Sequence, residues 1–257
     1  MSSPDLTLYT DTAPNGVKIT MALEYLGLPY KTVTVSISKL EQKEPWFLEI
    51  NPNGRIPALV DNTGGKQKKL MESGAILLYL ADKYDPEYKL SYPAGSDEYY
   101  EVLEWLFWQV GGLGPMQGQT LHFLHYCVSK SPEVRSYGVA RYQNETRRLF
   151  TVLESRLALQ KSTKSSPFLV GDHLSVADLA CLGWVLADNF AGIASEDYPL
   201  LNEWQDMVSG LEGVKKGLEG YGIKKVGQDP ELTKIASEYN SKWIKIQFEE
   251  QLKLGQK

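Results

Sequence analysis

The chain has 257 residues and a mass of 28.9 kDa, enough for one large domain or two smaller ones. Hydrophobic residues make up 42% and charged residues 23%, which excludes disordered, collagen-like and low-complexity classes. The net charge is −5 and basic residues form no long block, so we expect neither nucleic acid nor a membrane as the main partner. The sequence has no long apolar run and no signal-peptide pattern, which predicts a cytoplasmic protein.

The first 85 residues alternate between strand and helix patterns. Residues 6–9 alternate as a strand, a helical pattern begins near Pro14 and ends at Gly27, and residues 30–36 alternate again. Such a β-α-β unit makes its two strands parallel. A short helical segment, a hairpin of two strands and a helix from Ser73 to about Tyr84 follow. We therefore predict an α/β domain over residues 1–85.

After a polar linker the strand signals disappear, which predicts an all-helical second domain over residues 97–220. Four segments carry an apolar helical pattern: 97–110, 134–159, 176–189 and 200–208. The third begins with the strongest capping signal of the chain, in which Ser175 caps the helix and Asp178 answers as the acidic partner.

The C-terminal extension, residues 221–257, carries a one-faced apolar stripe typical of a helix that packs against another surface. The stripe consists of Leu232, Ile235, Tyr239, Trp243 and Ile246. We consider three positions for this helix: on its own domain, on a partner subunit, or over a ligand cleft.

Two short motifs at strand ends predict a binding site. Ile56 precedes Pro57, which makes this bond a candidate cis peptide and would leave the Ile56 backbone free to pair with an extended peptide. Ser73 begins a helix and offers a carboxylate a hydroxyl and free N–H groups, while Glu72 offers a charge to an amine. A ligand with an amino-acid head and a peptide body matches both, and glutathione is the candidate. The alternative is that Ser73 is a helix cap and Glu72 a solvated strand end.

Over about residues 6–220 the sequence resembles a cytosolic glutathione transferase, most closely the nu-class and fungal Ure2p-like subgroup. The segments that carry this resemblance are residues 13–19, 51–59, 72–79, 105–116 and 141–145. The resemblance implies a thioredoxin-like N-terminal domain, an all-α C-terminal domain, a homodimer, and glutathione as cosubstrate without a metal.

The resemblance also implies roles for individual residues. Asn15 matches the residue that faces the glutathione sulfur; an amide cannot act as acid or base, but it can donate a hydrogen bond to a thiolate. Ile56, Glu72 and Ser73 match the positions that bind the cysteinyl and γ-glutamyl units. Gln42 and Asn53 match positions that reach the glycyl end or the peptide. Arg141 matches an arginine that reaches glutathione from the neighbouring subunit.

Two differences from the subgroup are informative. Ala13 replaces a Thr of the nu class, which removes one donor to the sulfur unless Thr10 or Thr12 substitutes for it. The sequence also lacks an Asn/Gln-rich N-terminal tract, so we expect no prion-like behaviour.

The resemblance predicts an enzyme in which bound glutathione thiolate reduces disulfides or peroxides, with weaker conjugation of electrophiles. Small electrophilic, disulfide or peroxide substrates would be its second reactants. Two alternatives stay open: a carrier of small hydrophobic molecules, and a regulatory binding protein.

Three other patterns are weaker. Residues 111–115 are glycine-rich but have no preceding strand, which favours a helix break over a phosphate-binding loop. His122 and His125 lack further ligands for a zinc site. Cys127 and Cys181 lie outside any C-x-x-C pattern, so we expect two free thiols, with Cys127 the more reactive.

Overall fold

A four-stranded mixed sheet forms the centre of the N-terminal part of the chain. The computed structural model describes residues 4–129, 131–222 and 228–254. The strands lie in the order β2-β1-β3-β4 and are β1 (Leu6–Thr10), β2 (Tyr30–Thr34), β3 (Ala58–Asp61) and β4 (Lys68–Met71). β1 pairs parallel with β2 and antiparallel with β3, which pairs antiparallel with β4. The predicted β-α-β unit and hairpin are both confirmed.

Three helices complete this domain: α1 (Pro14–Tyr25), α2 (Pro45–Leu48) and α3 (Ser73–Tyr84). Pro14 occupies the first turn of α1, where its fixed φ suits a helix and its missing N–H leaves no partner unsatisfied. The apolar face of α1, including Ile19 and Leu23, is fully buried. The predicted thioredoxin-like α/β class is therefore confirmed.

The second domain is helical, as predicted. Its helices are α4 (Asp97–Trp108), α5 (Gly114–Leu121), α6 (Pro132–Thr163), α7 (Val176–Val185), α8 (Pro199–Gly210) and α9 (Glu212–Gly217). The capping box at α7 is present: Asp178 Oδ2 accepts hydrogen bonds from the Ser175 backbone N–H at 3.0 Å and its hydroxyl at 2.8 Å. This box begins a helix that is buried along its whole length.

The glycine-rich segment between α4 and α5 differs from the prediction of a helix break. Gln109–Leu113 forms a π-helical turn that continues directly into α5, a helix that the sequence pattern did not predict. A second π-helical turn, His122–Tyr126, ends α5. π-helical turns widen a helix locally and often occur at functional sites. These two turns border the cleft between the two domains, which is therefore a candidate functional site.

The C-terminal helix α10 (Pro230–Leu254) packs against segments of both domains. It contacts the single turn Ile37–Lys39 of the first domain and the His122–Tyr126 turn of the second. The Tyr239 hydroxyl donates a hydrogen bond to Asp11 Oδ2 at 2.6 Å. These contacts lie within one chain: α10 packs on its own domain, as one of the predicted alternatives has it, and also on the first domain.

Not every residue of the predicted apolar stripe on α10 is buried. Leu232 is 36% exposed and Ile235 55% exposed, so the first turns of this helix use their apolar face only in part. The Trp243 side chain lies outside the described residues.

Candidate active site

The cleft between the two domains encloses a cavity of about 970 Å³. Asn15, Lys18, Glu72 and Ser73 line it from the first domain. The second domain contributes residues that include Gln109, His122, Tyr126, Cys127 and Trp184, and α10 contributes Ile244. A smaller cavity of about 220 Å³ adjoins it and shares Asn15 and Trp184 with it. The two cavities form an elongated site along the domain boundary.

Asn15 lies in the first turn of α1, half-buried at the boundary of both cavities. Its Oδ1 accepts a hydrogen bond of 3.0 Å from Trp184 Nε1. Because an indole N–H can only donate, this bond fixes the orientation of the Asn15 amide and leaves its NH₂ group to donate elsewhere. The amide therefore has its NH₂ donors available to a ligand in the cleft.

A close approach between α7 and the start of α1 brings Trp184 to Asn15. Gly183 precedes Trp184, and a Cβ at position 183 would lie only 2.6 Å from the Pro14 carbonyl oxygen. Such a distance is shorter than real side chains tolerate, so this contact requires glycine.

Glu72 and Ser73 occupy the junction between β4 and α3. Glu72 has a φ of 68°, a region that non-glycine residues rarely occupy and that often marks functional sites. Ser73 begins α3 and is buried, with its hydroxyl at the positive end of the helix dipole. Asn53 Nδ2 donates to Glu72 Oε1 at 3.3 Å. Asn53 thus contacts Glu72 without lining either cavity itself.

Gln42 and Ile56 line the smaller cavity. The Ile56–Pro57 bond is cis, as predicted. Gln42 is buried, and its Oε1 has no hydrogen-bond partner in the described part of the chain. An acceptor of this kind suits a ligand that donates an amide N–H.

Two cations that sequence reasoning missed stand beside these residues. Lys43 lines the smaller cavity and Arg55 lines both. Burial, followed by the nearby Arg55, lowers the pKa of Lys43. Paired positive charges at this end favour a ligand carboxylate.

Arg141 is not brought into the site of its own chain. It lies on α6, is exposed, and its guanidinium is 5.9 Å from the centre of the Tyr142 ring. The six other predicted residues, by contrast, either line the two cavities or contact a residue that does.

Lys18, on α1 one turn after Asn15, is a third residue that sequence reasoning missed. It is 1% exposed, and its Nζ lies 2.6 Å from Gln109 Oε1 and 3.3 Å from Ser73 Oγ. Burial lowers the pKa of its ammonium to about 7. A charged residue between Val17 and Ile19, both in the buried part of a helix, is the signal that could have identified it.

The smaller predictions on neighbouring residues have separate outcomes. Thr10 and Thr12, the alternatives to the donor missing at Ala13, line a different depression and neither cavity of the site. Cys181 is buried, which raises the pKa of its thiol and makes it inert, whereas Cys127 lines the large cavity.

The histidines form no metal site in the described part of the chain. His125 stacks on Phe190, with ring centres 4.1 Å apart, while His122 lines the large cavity. Burial lowers the pKa of both imidazoles. Likewise, no helix among the described residues combines the length and the apolar character needed to span a bilayer.

Two family models match the sequence. The glutathione S-transferase N-terminal domain matches residues 4–82, and the glutathione S-transferase C-terminal domain matches residues 119–212. The chain belongs to the glutathione transferase family. Its similarity to fungal Ure2p-like members places this transferase in that subgroup, as the sequence predicted.

Individual relatives agree with this assignment. The disulfide-bond oxidoreductase YfcG of Escherichia coli is 43% identical over 79% of this chain and 89% of its own. A glutathione transferase homologue from Lodderomyces elongisporus, solved with two glutathione molecules per subunit, has a TM-score of 0.78 and 44% identity over 84% of this chain and 98% of its own. The transferase URE2P6 of Phanerochaete chrysosporium, solved with oxidised glutathione, has a TM-score of 0.76 and 37% identity over 84% and 96%.

Proposed function

We propose that this glutathione transferase uses a bound glutathione thiolate to reduce small disulfides or peroxides, with weaker conjugation of electrophilic carbon. The observation that carries the proposal is the Asn15 amide, which Trp184 holds by its oxygen so that its NH₂ group is available to donate in the cleft. Supporting observations are the name of the E. coli relative and the two glutathione molecules bound to the L. elongisporus protein.

The proposed glutathione extends along both cavities. Its γ-glutamyl amine and carboxylate lie at Glu72 and Ser73, and its cysteinyl backbone lies at Ile56. Its glycyl end lies near Gln42, with Asn53 behind Glu72 and Lys43 supplying positive charge. In this position the sulfur lies at Asn15, where the two cavities meet.

At that position the protein can stabilise a thiolate without an acid or base of its own. The Asn15 N–H donates to the sulfur, and the N-terminus of α1 adds the positive end of its dipole, so the thiol pKa falls. The thiolate attacks one sulfur of a disulfide, forms a mixed disulfide and expels the other sulfur as a thiolate. A second glutathione thiolate then attacks the glutathione sulfur of the mixed disulfide, which breaks the S–S bond, expels the remaining substrate sulfur as a thiolate and forms oxidised glutathione. The two glutathiones supply the two electrons, so no protein cysteine is needed.

The second reactant would occupy the remaining part of the large cavity. At about 970 Å³ this cavity is at the upper end of the roughly 300–1,000 Å³ typical of ligand pockets, so it has room beyond one tripeptide. His122, Tyr126 and Ile244 line that part. The mixture of apolar and polar walls suits a small disulfide, a peroxide or a second glutathione.

A homodimer in the cytoplasm is part of the proposal. Large aromatic side chains are exposed on two helices of the second domain, Tyr100 and Phe107 on α4 and Tyr137 on α6, as expected of residues that a second subunit covers. Arg141 follows Tyr137 by one turn of α6, a position from which it would reach the neighbouring site. Both cysteines are free, which agrees with a reducing compartment.

The test is steady-state reduction of a small mixed disulfide by glutathione, beside conjugation of an aromatic electrophile on the same preparation. We expect disulfide reduction to dominate. Asn15→Ala should lower kcat about tenfold or more and change glutathione affinity much less, because the lost bond acts on the thiolate. Equal losses of kcat and affinity would contradict the role of Asn15, and glutathione binding without turnover in either assay would favour the carrier.

Glu72 gives a complementary prediction. Glu72→Ala removes the proposed partner of the γ-glutamyl amine, so glutathione affinity should fall about tenfold while kcat at saturation changes little. Calorimetric titration measures the affinity, and Glu49→Ala, at an exposed position directly after α2, serves as the control. Unchanged affinity in Glu72→Ala would remove this residue from the site.

A further inference from the structure

Lys18 lines the large cavity and has no role in the proposed reaction as described so far. Lys18 is buried, and no carboxylate of the described residues forms an ion pair with it. The Glu72 carboxylate favours the charged form of Lys18 but forms no ion pair with it. A buried ammonium without a paired opposite charge is unfavourable, because burial removes the water that would stabilise the charge. This arrangement is expected where a ligand supplies the missing negative charge.

The hydrogen bonds of Lys18 have a fixed direction. In its ammonium form Lys18 can only donate, so Ser73 Oγ and Gln109 Oε1 both accept from that form, at 3.3 and 2.6 Å. The Ser73 hydroxyl hydrogen is then free to donate away from Lys18. Because Ser73 lines the cavity at the start of α3, that hydrogen is available to a ligand.

Gln109, from the other domain, is in the same situation as Ser73: its oxygen accepts from Lys18 and its hydrogens stay available. Its Oε1 is occupied by Lys18, and its buried Nε2 has no hydrogen-bond partner in the described part of the chain. Gln109 is fully buried and lines the same cavity. Lys18 thus occupies the oxygens of a serine and a glutamine from two different domains. The Ser73 hydroxyl hydrogen and the Gln109 NH₂ group are then available to donate to a ligand.

We propose that Lys18 is a positioning residue for the carboxylate of the ligand's γ-glutamyl group, acting through the Ser73 hydroxyl and through its own charge. This inference rests on the proposed function, because it assumes glutathione at Ser73. It adds a subsite in which Lys18, Ser73 and Gln109 together select a carboxylate over a neutral group. The lowered pKa of Lys18 agrees with a cation that lacks a partner until the ligand arrives.

The test compares two ligands that differ only in that carboxylate. One is S-methylglutathione, whose blocked thiol excludes redox chemistry; the other is its analogue with a 4-aminobutyryl group in place of γ-glutamyl. Calorimetry gives both affinities for the wild type and for Lys18→Met. We expect Lys18→Met to weaken the binding of S-methylglutathione about tenfold or more, and the binding of the analogue less than about twofold. Lys18→Arg should retain most of the preference for the carboxylate.

The outcomes separate this inference from the proposed function. Wild-type protein that binds neither ligand would overturn both. The other result concerns the Lys18 role alone. If the wild type binds the ligands, but Lys18→Met weakens the binding of both equally or of neither, the Lys18 role is overturned. Lys161→Met, an exposed lysine on α6, is the matched control and should leave both affinities unchanged. Should Lys18→Met not fold, Lys18→Gln repeats the comparison with a shorter neutral side chain.

Discussion

At the scale of single residues, the chemistry of the cleft depends on how neighbours restrict a neutral amide. In the proposed function, Asn15 contributes without ionising, so its effect depends on which of its two polar atoms faces the glutathione sulfur. Trp184 decides this by donating to Oδ1. A residue from the helical domain therefore prepares the donor of the thioredoxin-like domain.

Trp184→Phe tests this arrangement. The substitution keeps an aromatic ring and removes the N–H, so the Asn15 amide can turn its oxygen towards the sulfur. We expect kcat for disulfide reduction to fall about fivefold to tenfold, with glutathione affinity nearly unchanged. Trp46→Phe, an exposed tryptophan on α2, is the control. A loss of affinity as large as the loss of kcat would indicate damage to packing instead.

At the scale of elements, the position of α3 matters because its first residue is Ser73. Its second half is held to β3 by Asp61, whose Oδ2 accepts hydrogen bonds from Tyr79, Lys83 and Tyr84 at 2.5 to 2.7 Å. Burial raises the pKa of Asp61, but these bonds and one from Thr63 outweigh it and hold the pKa below its usual range. The ionised carboxylate is thus the form that anchors the helix.

The sign of this shift gives a pH prediction. Since the folded pKa of Asp61 is below the unfolded value of about 3.9, its contribution to stability is complete above that pH and disappears as the pH falls through the folded value. Asp61→Asn should lower the free energy of unfolding by about 1–3 kcal/mol at pH 7. Urea unfolding at pH 7, 4 and 2.5 should show this difference shrinking only in the most acid sample. Asp82→Asn, on the exposed face of α3, is the control.

At the scale of the whole molecule, α10 connects the two domains across the cleft. Tyr239 contacts Asp11, which also accepts a hydrogen bond from the Ile37 N–H at 3.1 Å, and Ile244 forms part of the cavity wall. The family models end at residue 212, so this wall lies outside the part that defines the family. We expect α10 to influence which second substrate enters more than it influences glutathione binding.

Deleting residues 229–257 tests this expectation and keeps Tyr221, whose hydroxyl donates to the Gly183 carbonyl at 3.0 Å. The opened cavity should raise kcat/KM for a bulky disulfide relative to a small one by about threefold or more. Tyr239→Phe should shift the ratio in the same direction by less, and Lys234→Ala, exposed on α10, should not shift it. A constant ratio in the truncated protein would leave packing as the role of α10.

The sequence by itself determined the features that depend on neighbouring residues. Alternation and turn residues predicted the β-α-β unit and the hairpin, an Ile-Pro pair predicted the cis bond, and Ser175 with Asp178 predicted the helix cap. Short motifs at strand ends single out Ile56, Glu72 and Ser73, whereas Asn15 was proposed through the resemblance to glutathione transferases. Such signals survive in sequence because the groups that interact lie within a few positions of each other.

Only the tertiary structure decided the contacts between distant segments. Trp184 and Asn15 are 169 positions apart, and Lys18 acquires Gln109 as a partner 91 positions away. The π-helical turns, α5 and the position of α10 across the cleft also depend on how helices pack, which local propensity does not encode. The physical reason is that burial gives these polar groups their direction and their pKa, and burial exists only when the two domains are together.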